Sequence, residues 1–131
     1  MTELELKTSV SKFSDALNRL IELQNKEIDA DILRDATIKR FEFTYELCWK
    51  SCKIYLNYKG IDAFNPRDVF ENTFKQGLFK STEEQALLGM LRDRSLMSHV
   101  YKESLANEVA KRIQETYIQT LQKVLSALQN S

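Results

Sequence analysis

Residues Asp31 to Tyr58 read DILRDATIKRFEFTYELCWKSCKIYLNY, without glycine or proline, and this stretch decides the fold class. Ile38, Phe41, Tyr45, Cys48, Cys52 and Tyr55 recur at steps of three and four, the spacing that puts side chains on one face of a helix. Phe43, Leu47, Trp49, Ile54 and Leu56 widen the apolar surface nearly around the axis. A helix apolar on that many sides belongs at the centre of a bundle. One polar stripe survives, Lys39, Glu42, Glu46, Lys50, Lys53 and Asn57, in which Glu46 and Lys50 stand in the favourable order for an i,i+4 ion pair. Gly60 supplies the stop.

Outward from this helix, the other segments are helical too. From about Leu4 to Gln24, Leu6, Val10, Phe13, Leu17 and Leu20 form an amphipathic seam that ends at the polar break Asn25-Lys26-Glu27. Asn65-Pro66 is an N-cap with proline at the first helical position and opens a short helix ending near Gly77. Ser81-Thr82-Glu83-Glu84 reads as a capping box, Ser81 with Glu84, for a helix through Leu87, Leu91 and Arg94. A last helix from near Glu103 to about Gln129 buries Leu105, Val109, Ile113, Tyr117, Leu121, Val124 and Leu128. The pattern predicts an all-α chain, an antiparallel four-helix bundle with an additional short helix in the central connection. With no repeat, low-complexity stretch or linker, residues 1–131 are expected to form a single domain.

Composition narrows the function. Three glycines and one proline are too few for the turns of a β-sandwich or a doubly wound sheet. Lys plus Arg and Asp plus Glu both number 19, so no global basic field holds nucleic acid, and any RNA contact must be local. No apolar run approaches the ~20 residues of a membrane span, and the N-terminal residues lack the basic and apolar regions of a signal peptide, so a cytoplasmic location is expected. Gly60, Gly77 and Gly89 belong to no phosphate-binding loop and to no nucleotidyltransferase motif, and no cofactor is expected. Cys48 and Cys52 sit on the apolar seam, far in sequence from the single histidine, and read as reduced core thiols with no metal.

The chemistry-bearing segment is Leu91-Arg-Asp-Arg-Ser-Leu-Met-Ser-His-Val-Tyr101, where a helix should be ending. Arg94 lies seven residues after Leu87, which puts it on the face of Leu87 and Leu91, toward a partner helix. On an unbroken helix, positions 94 and 99 point about 140° apart. Arg94 and His99 therefore share a site only if the helix breaks near Ser98 or a second subunit supplies one of them. Histidine trades protons near neutral pH and arginine grips two phosphate oxygens, a pair suited to phosphodiester cleavage. The plainer alternative pairs Arg94 with Asp93 or Glu46 and leaves His99 at the helix C-terminus, where a cation is favourable.

Arg94-Ser-Leu-Met-Ser-His99-Val-Tyr101 matches Arg-x4-His-x-Tyr and resembles the signature of the HEPN superfamily of small helical proteins. Arg40-Phe-Glu-Phe-Thr-Tyr-Glu-Leu-Cys-Trp-Lys50, Pro66-Arg-Asp-Val, Asp93-Arg94 and Ser98-His99 resemble more closely the nucleotidyltransferase substrate-binding protein family within it. The resemblance runs from about Arg40 to Ile113; it departs at Ser95, where that branch usually has asparagine. It implies a homodimer that assembles with a minimal nucleotidyltransferase, in toxin–antitoxin fashion. Two functions follow from it. In one the chain is a non-catalytic, substrate-binding partner subunit, with Lys39, Arg40, Glu42, Glu46, Lys50, Arg92 and Asp93 as binding residues. In the other it is a metal-independent ribonuclease toxin, with Arg94 holding the phosphate of RNA and His99 as general acid or base. Tyr101 is then the site where the partner adds AMP to silence it.

Overall fold

The computed structural model describes residues 3–99 and 101–131, so Val100, inside the Arg94 to Tyr101 motif, lies outside the described residues. The elements are α1 (Glu3–Leu23), α2 (Ala30–Tyr58), α3 (Pro66–Lys75), α4 (Ser81–His99), α5 (Glu103–Arg112), a π-helical turn (Ile113–Tyr117) and α6 (Ile118–Gln129). No strand occurs among the described residues. Asp29 caps α2 by accepting from the backbone N–H groups of Asp31 and Ile32, and Asn65 caps α3 by accepting from that of Asp68. Gly60 and Gly77 turn the chain after α2 and α3 at φ of 82° and 80°, left-handed conformations that glycine adopts without Cβ strain.

Cross-helix contacts set the directions. Ser9 meets Ser51 and Gln24 meets Thr37, so α1 and α2 are antiparallel. Arg94 lies beside Glu46 and Met97 near Ile38, so α4 runs against α2. Asp93 bonds Arg112 and Glu83 feels the charge of Lys123, so the last helix runs against α4. The result is an up-down-up-down bundle of four long helices, with α3 in the central connection. Its core gathers Phe13, Leu17, Phe41, Tyr45, Phe70, Leu87, Met90, Ile113 and Leu121 from every layer.

Four details differ from the sequence expectations. The α4 cap is one residue early: Glu83, not Glu84, reaches back, accepting from the Lys80 backbone N–H at 3.3 Å, while Ser81 falls in the first turn. Glu83 shares the buried side of α4 with Leu87 and Met90, and the hydrogen bond from Thr82 holds its carboxyl below the usual range. Phe43 is 63% exposed, so α2 keeps one open side. The residue of α4 that goes fully inside is Asp93, not Arg94, because the buried line runs Glu83, Leu87, Met90, Asp93. Finally, α4 ends inside the motif, at His99, yet without the break near Ser98 that would bring Arg94 and His99 together in one chain.

The buried Asp93 organises this side of the bundle. Arg112 grips it with two hydrogen bonds, Nε to Oδ2 at 2.8 Å and Nη2 to Oδ1 at 2.9 Å, and the Tyr117 hydroxyl donates to Oδ2 at 2.5 Å. Arg112 and Tyr117 reach one carboxylate because the turn between them is π-helical, with the Ile118 N–H bonded to the Ile113 carbonyl. The pattern Leu105, Val109, Ile113, Tyr117, Leu121 advances in fours, and each such step rotates a regular α-helix by about 40° too far. The wide turn takes up one residue and returns the later side chains to the core. Tyr117 also stacks on Phe41, with ring centroids 5.5 Å apart. Gly89 makes room for it: a Cβ there would lie 3.1 Å from the Tyr117 hydroxyl.

Asp93→Ala is expected to cost about 3–5 kcal/mol, since it removes both the buried pair and the phenol's acceptor, as urea denaturation will measure. Tyr45→Phe should be neutral or slightly stabilising, because the buried Tyr45 hydroxyl has no partner among the described residues. Gly89→Ala ordinarily gains about 1 kcal/mol in a helix. Here it should destabilise, because Tyr117 is pinned by Asp93 and Phe41, and the gain should return in a Tyr117→Phe background. Burial pushes the hydroxyls of Tyr45 and Tyr117 above the ordinary tyrosine value, Tyr117 with help from its bond to Asp93. Their folded-state pKa is raised, so this contribution is intact below about pH 10. Above it the unfolded chain ionises first and stability falls; melting curves of the Tyr45→Phe, Tyr117→Phe double variant should show a shallower alkaline decline.

Candidate functional site

The polar stripe of α2 faces α4 across a shallow groove. Glu46 is its hub: it accepts from the Trp49 indole N–H at 3.1 Å, lies 4.0 Å from Lys50 Nζ, and pairs with Arg94, whose Nε stands 3.2 Å from Oε1. The Arg94 contact is an ion pair that lacks hydrogen-bond geometry; the side chain is 38% exposed, with its Nε buried. Arg94 is thus charge-compensated in the free chain, and a phosphate would have to displace Glu46 to be gripped by it. Farther along, a depression of about 190 Å³ is lined by Asp35, Ile38, Lys39, Glu42, Met97 and Tyr101.

A second cluster, centred on Arg34, is not among the sequence expectations. Its side chain is only 10% exposed and bonds Asp35 at 2.9 Å, Asp31 at 3.3 Å, Glu103 at 3.4 Å, Asn107 at 3.3 Å and the Tyr101 hydroxyl at 3.1 Å. The Tyr101 hydroxyl in turn donates to Asp35 at 3.4 Å. The hydrogen bond to Asp35, reinforced by the charges of Asp35 and Asp31, pushes the guanidinium further toward its charged form. Asp31 and Glu103 each sit in the first turn of a helix, where a carboxylate suits the helix dipole. Because α2 and α5 start at the same end of the bundle, their carboxylates converge and need a cation between them. That need is invisible until the topology is known.

The remaining candidates are spread out. Asp93 is enclosed by Arg112 and Tyr117. Arg40 donates to the Arg19 carbonyl at 2.8 Å, on the α1 side of α2. Lys39, Lys50 and Arg92 are exposed. His99, the last residue of α4, is exposed and makes no hydrogen bond or ion pair to the described residues. Since α4 is unbroken from Arg94 to His99, these two side chains diverge within one chain. Tyr101 is 62% exposed, with its hydroxyl held by Arg34 and Asp35. Cys48 and Cys52 are free and buried, and burial pushes the Cys48 thiol up. Among the described residues no three His, Cys, Asp or Glu side chains converge as a metal site would, and no helix is long and apolar enough to cross a membrane.

Known proteins share this architecture. A crystal structure of a Thermus thermophilus protein is 36% identical, with a TM-score of 0.81, and the match covers 88% of this chain and 98% of that one. A tri-AMPylated Shewanella oneidensis HEPN toxin in complex with MNT antitoxin superposes with a TM-score of 0.81 over 100% of both chains, at 13% identity. A mutant toxin–antitoxin MntA complex gives 0.80 at 12% identity, over 96% of this chain and 98% of that one. At such low identity these two speak for the fold alone. No curated protein matches the chain in sequence. The family model described as nucleotidyltransferase substrate binding protein like matches residues 7–130, and the chain belongs to that family.

Proposed function

We propose that this protein is the partner subunit of a minimal nucleotidyltransferase in a toxin–antitoxin pair, and that it presents Tyr101 to that enzyme as an acceptor of AMP. The observation that carries this is the state of Tyr101: an exposed phenol whose oxygen is already held by a cation and a carboxylate. Support comes from the structural neighbours, a tri-AMPylated HEPN toxin with its MNT antitoxin and a toxin–antitoxin complex with AMP-PNP. The stripe of Lys39, Glu42, Glu46 and Lys50, exposed at the two lysines and half-buried at the two carboxylates, offers the docking surface, in a cytoplasmic protein acting as one HEPN-like domain. The chain catalyses nothing by itself in this mode, consistent with Arg94 being neutralised by Glu46 and turned away from His99.

A second mode, ribonuclease activity, is favoured by His99, which is exposed and has no partner among the described residues. It requires a homodimer in which His99 of one protomer approaches Arg94 of its partner, with Arg92 adding local charge for RNA.

Co-expression with the neighbouring nucleotidyltransferase should yield a complex that survives gel filtration, and incubation with ATP should add the mass of AMP to Tyr101 but not to Tyr101→Phe. Separate elution at low salt would refute the partner role. RNA cleavage without metal, lost by roughly 10²-fold or more in His99→Ala, would favour the ribonuclease; a monomer in light scattering would exclude it.

A further inference from the structure

We infer that Asp35 and Arg34 prepare the Tyr101 hydroxyl for nucleotidyl transfer, Asp35 as the acceptor of its proton and Arg34 as the group that orients the oxygen and then holds the new phosphodiester. This rests on Tyr101 being the acceptor, as proposed above.

A phenol oxygen has one proton and two lone pairs. Arg34 has only donors, so its Nη2, 3.1 Å away, occupies a lone pair. Asp35 can only accept while ionised, so the proton points at its Oδ1 at 3.4 Å. One lone pair is left on an exposed oxygen. Tyr58, the other exposed tyrosine, has no hydrogen-bond partner among the described residues, and the hydroxyl of Tyr117 is buried against Asp93. Only at position 101 does an accessible tyrosine meet both a proton acceptor and a cation among the described residues.

The step balances without a further reagent beyond the nucleoside triphosphate that the partner supplies. Tyr101 Oη attacks the α-phosphorus, an O–P bond forms, the bond from that phosphorus to the oxygen bridging to the β-phosphate breaks, and pyrophosphate leaves. The phenolic proton passes to the Asp35 carboxylate and on to water. The product is a phosphodiester with one negative charge beside Asp31, Asp35 and Glu103. Arg34 is the cation at this spot, and its fork suits phosphate oxygens. The apolar floor of the adjoining depression, Ile38 and Met97, gives the nucleoside a surface to lie against.

The test uses the full chain with saturating partner nucleotidyltransferase, ATP and magnesium. AMP on Tyr101 is followed by intact mass and peptide mapping, with Tyr58 as an internal control. The charged groups that face Asp35 are Arg34, Lys39 and Glu42 on α2, Tyr101 in the α4–α5 connection and, across Arg34, Asp31 on α2 and Glu103 on α5. Asp35→Asn should slow the initial rate about 10²-fold near neutral pH, and its rate should go on rising with pH where the wild type has levelled off. Arg34→Gln should slow the reaction at every pH, with Arg34→Lys intermediate. Melting curves and gel filtration with the partner verify that each variant is folded and docked; if Arg34→Gln is not, the isosteric Asp35→Asn decides. Wild-type rates and pH profile in Asp35→Asn, with Tyr101 labelled, would overturn this inference alone. Absence of label on wild-type Tyr101, or label on Tyr58 instead, would overturn the acceptor assignment and this inference with it.

Discussion

A carboxylate without solvent contact is the constraint from which much of this bundle follows. Asp93 brings a charge into the core on the inner face of α4, and a buried charge is tolerated only when it is paired and fully hydrogen-bonded. Arg112 and Tyr117 meet that demand from the last helix, and they converge on one carboxylate because the backbone between them is wound to a wider pitch. The carboxylate therefore sets more than its own surroundings. It fixes the register of α4 against the last helix, places Phe41 under the Tyr117 ring, and leaves Arg94, one residue on, at the groove facing Glu46.

Much of the fold was legible because periodicity and punctuation are local. The seam from Ile38 to Tyr55, the cap at Asn65-Pro66 and the stops at Gly60 and Gly77 each depend on a few neighbouring residues, and the helix boundaries landed within a residue or two. The choice between Asp93 and Arg94 was harder. A spacing of seven identifies a side of a helix but not its deepest line, and adjacent positions differ by about 100° around the axis. The carboxylate went inside because two donors were waiting there, a fact carried by residues about twenty positions later. The drift in the pattern from Leu105 to Leu121 did signal the wide turn, for those who count the rotation.

The candidate site was legible in part. Tyr101, Arg94 and His99 stood out as a motif, and the sequence left Arg94 and His99 to share a site only through a break near Ser98 or a second subunit; α4 has no break between them, so within one chain they point to different sides. Arg34 was hidden because its five partners come from α2 and, nearly seventy residues later, from α5 and the connection before it, joined only by the parallel course of α2 and α5. The free chain thus keeps both arginines occupied by carboxylates, Arg94 by Glu46 and Arg34 by Asp35 and Asp31. Binding of an anion at either place is an exchange of partners, which selects for ligands with enough charge to outcompete a carboxylate.

The π-helical turn also turns chain length into information. If the segment from Ile113 to Tyr117 wound as a regular α-helix with all its residues kept, everything from Ile118 onward would swing by about 100°. Leu121, Val124 and Leu128, now sealed in the core, would then face water. In this segment, therefore, residue number and winding are constrained together: a family member one residue shorter here would keep the same contacts with a regular turn in place of the wide one.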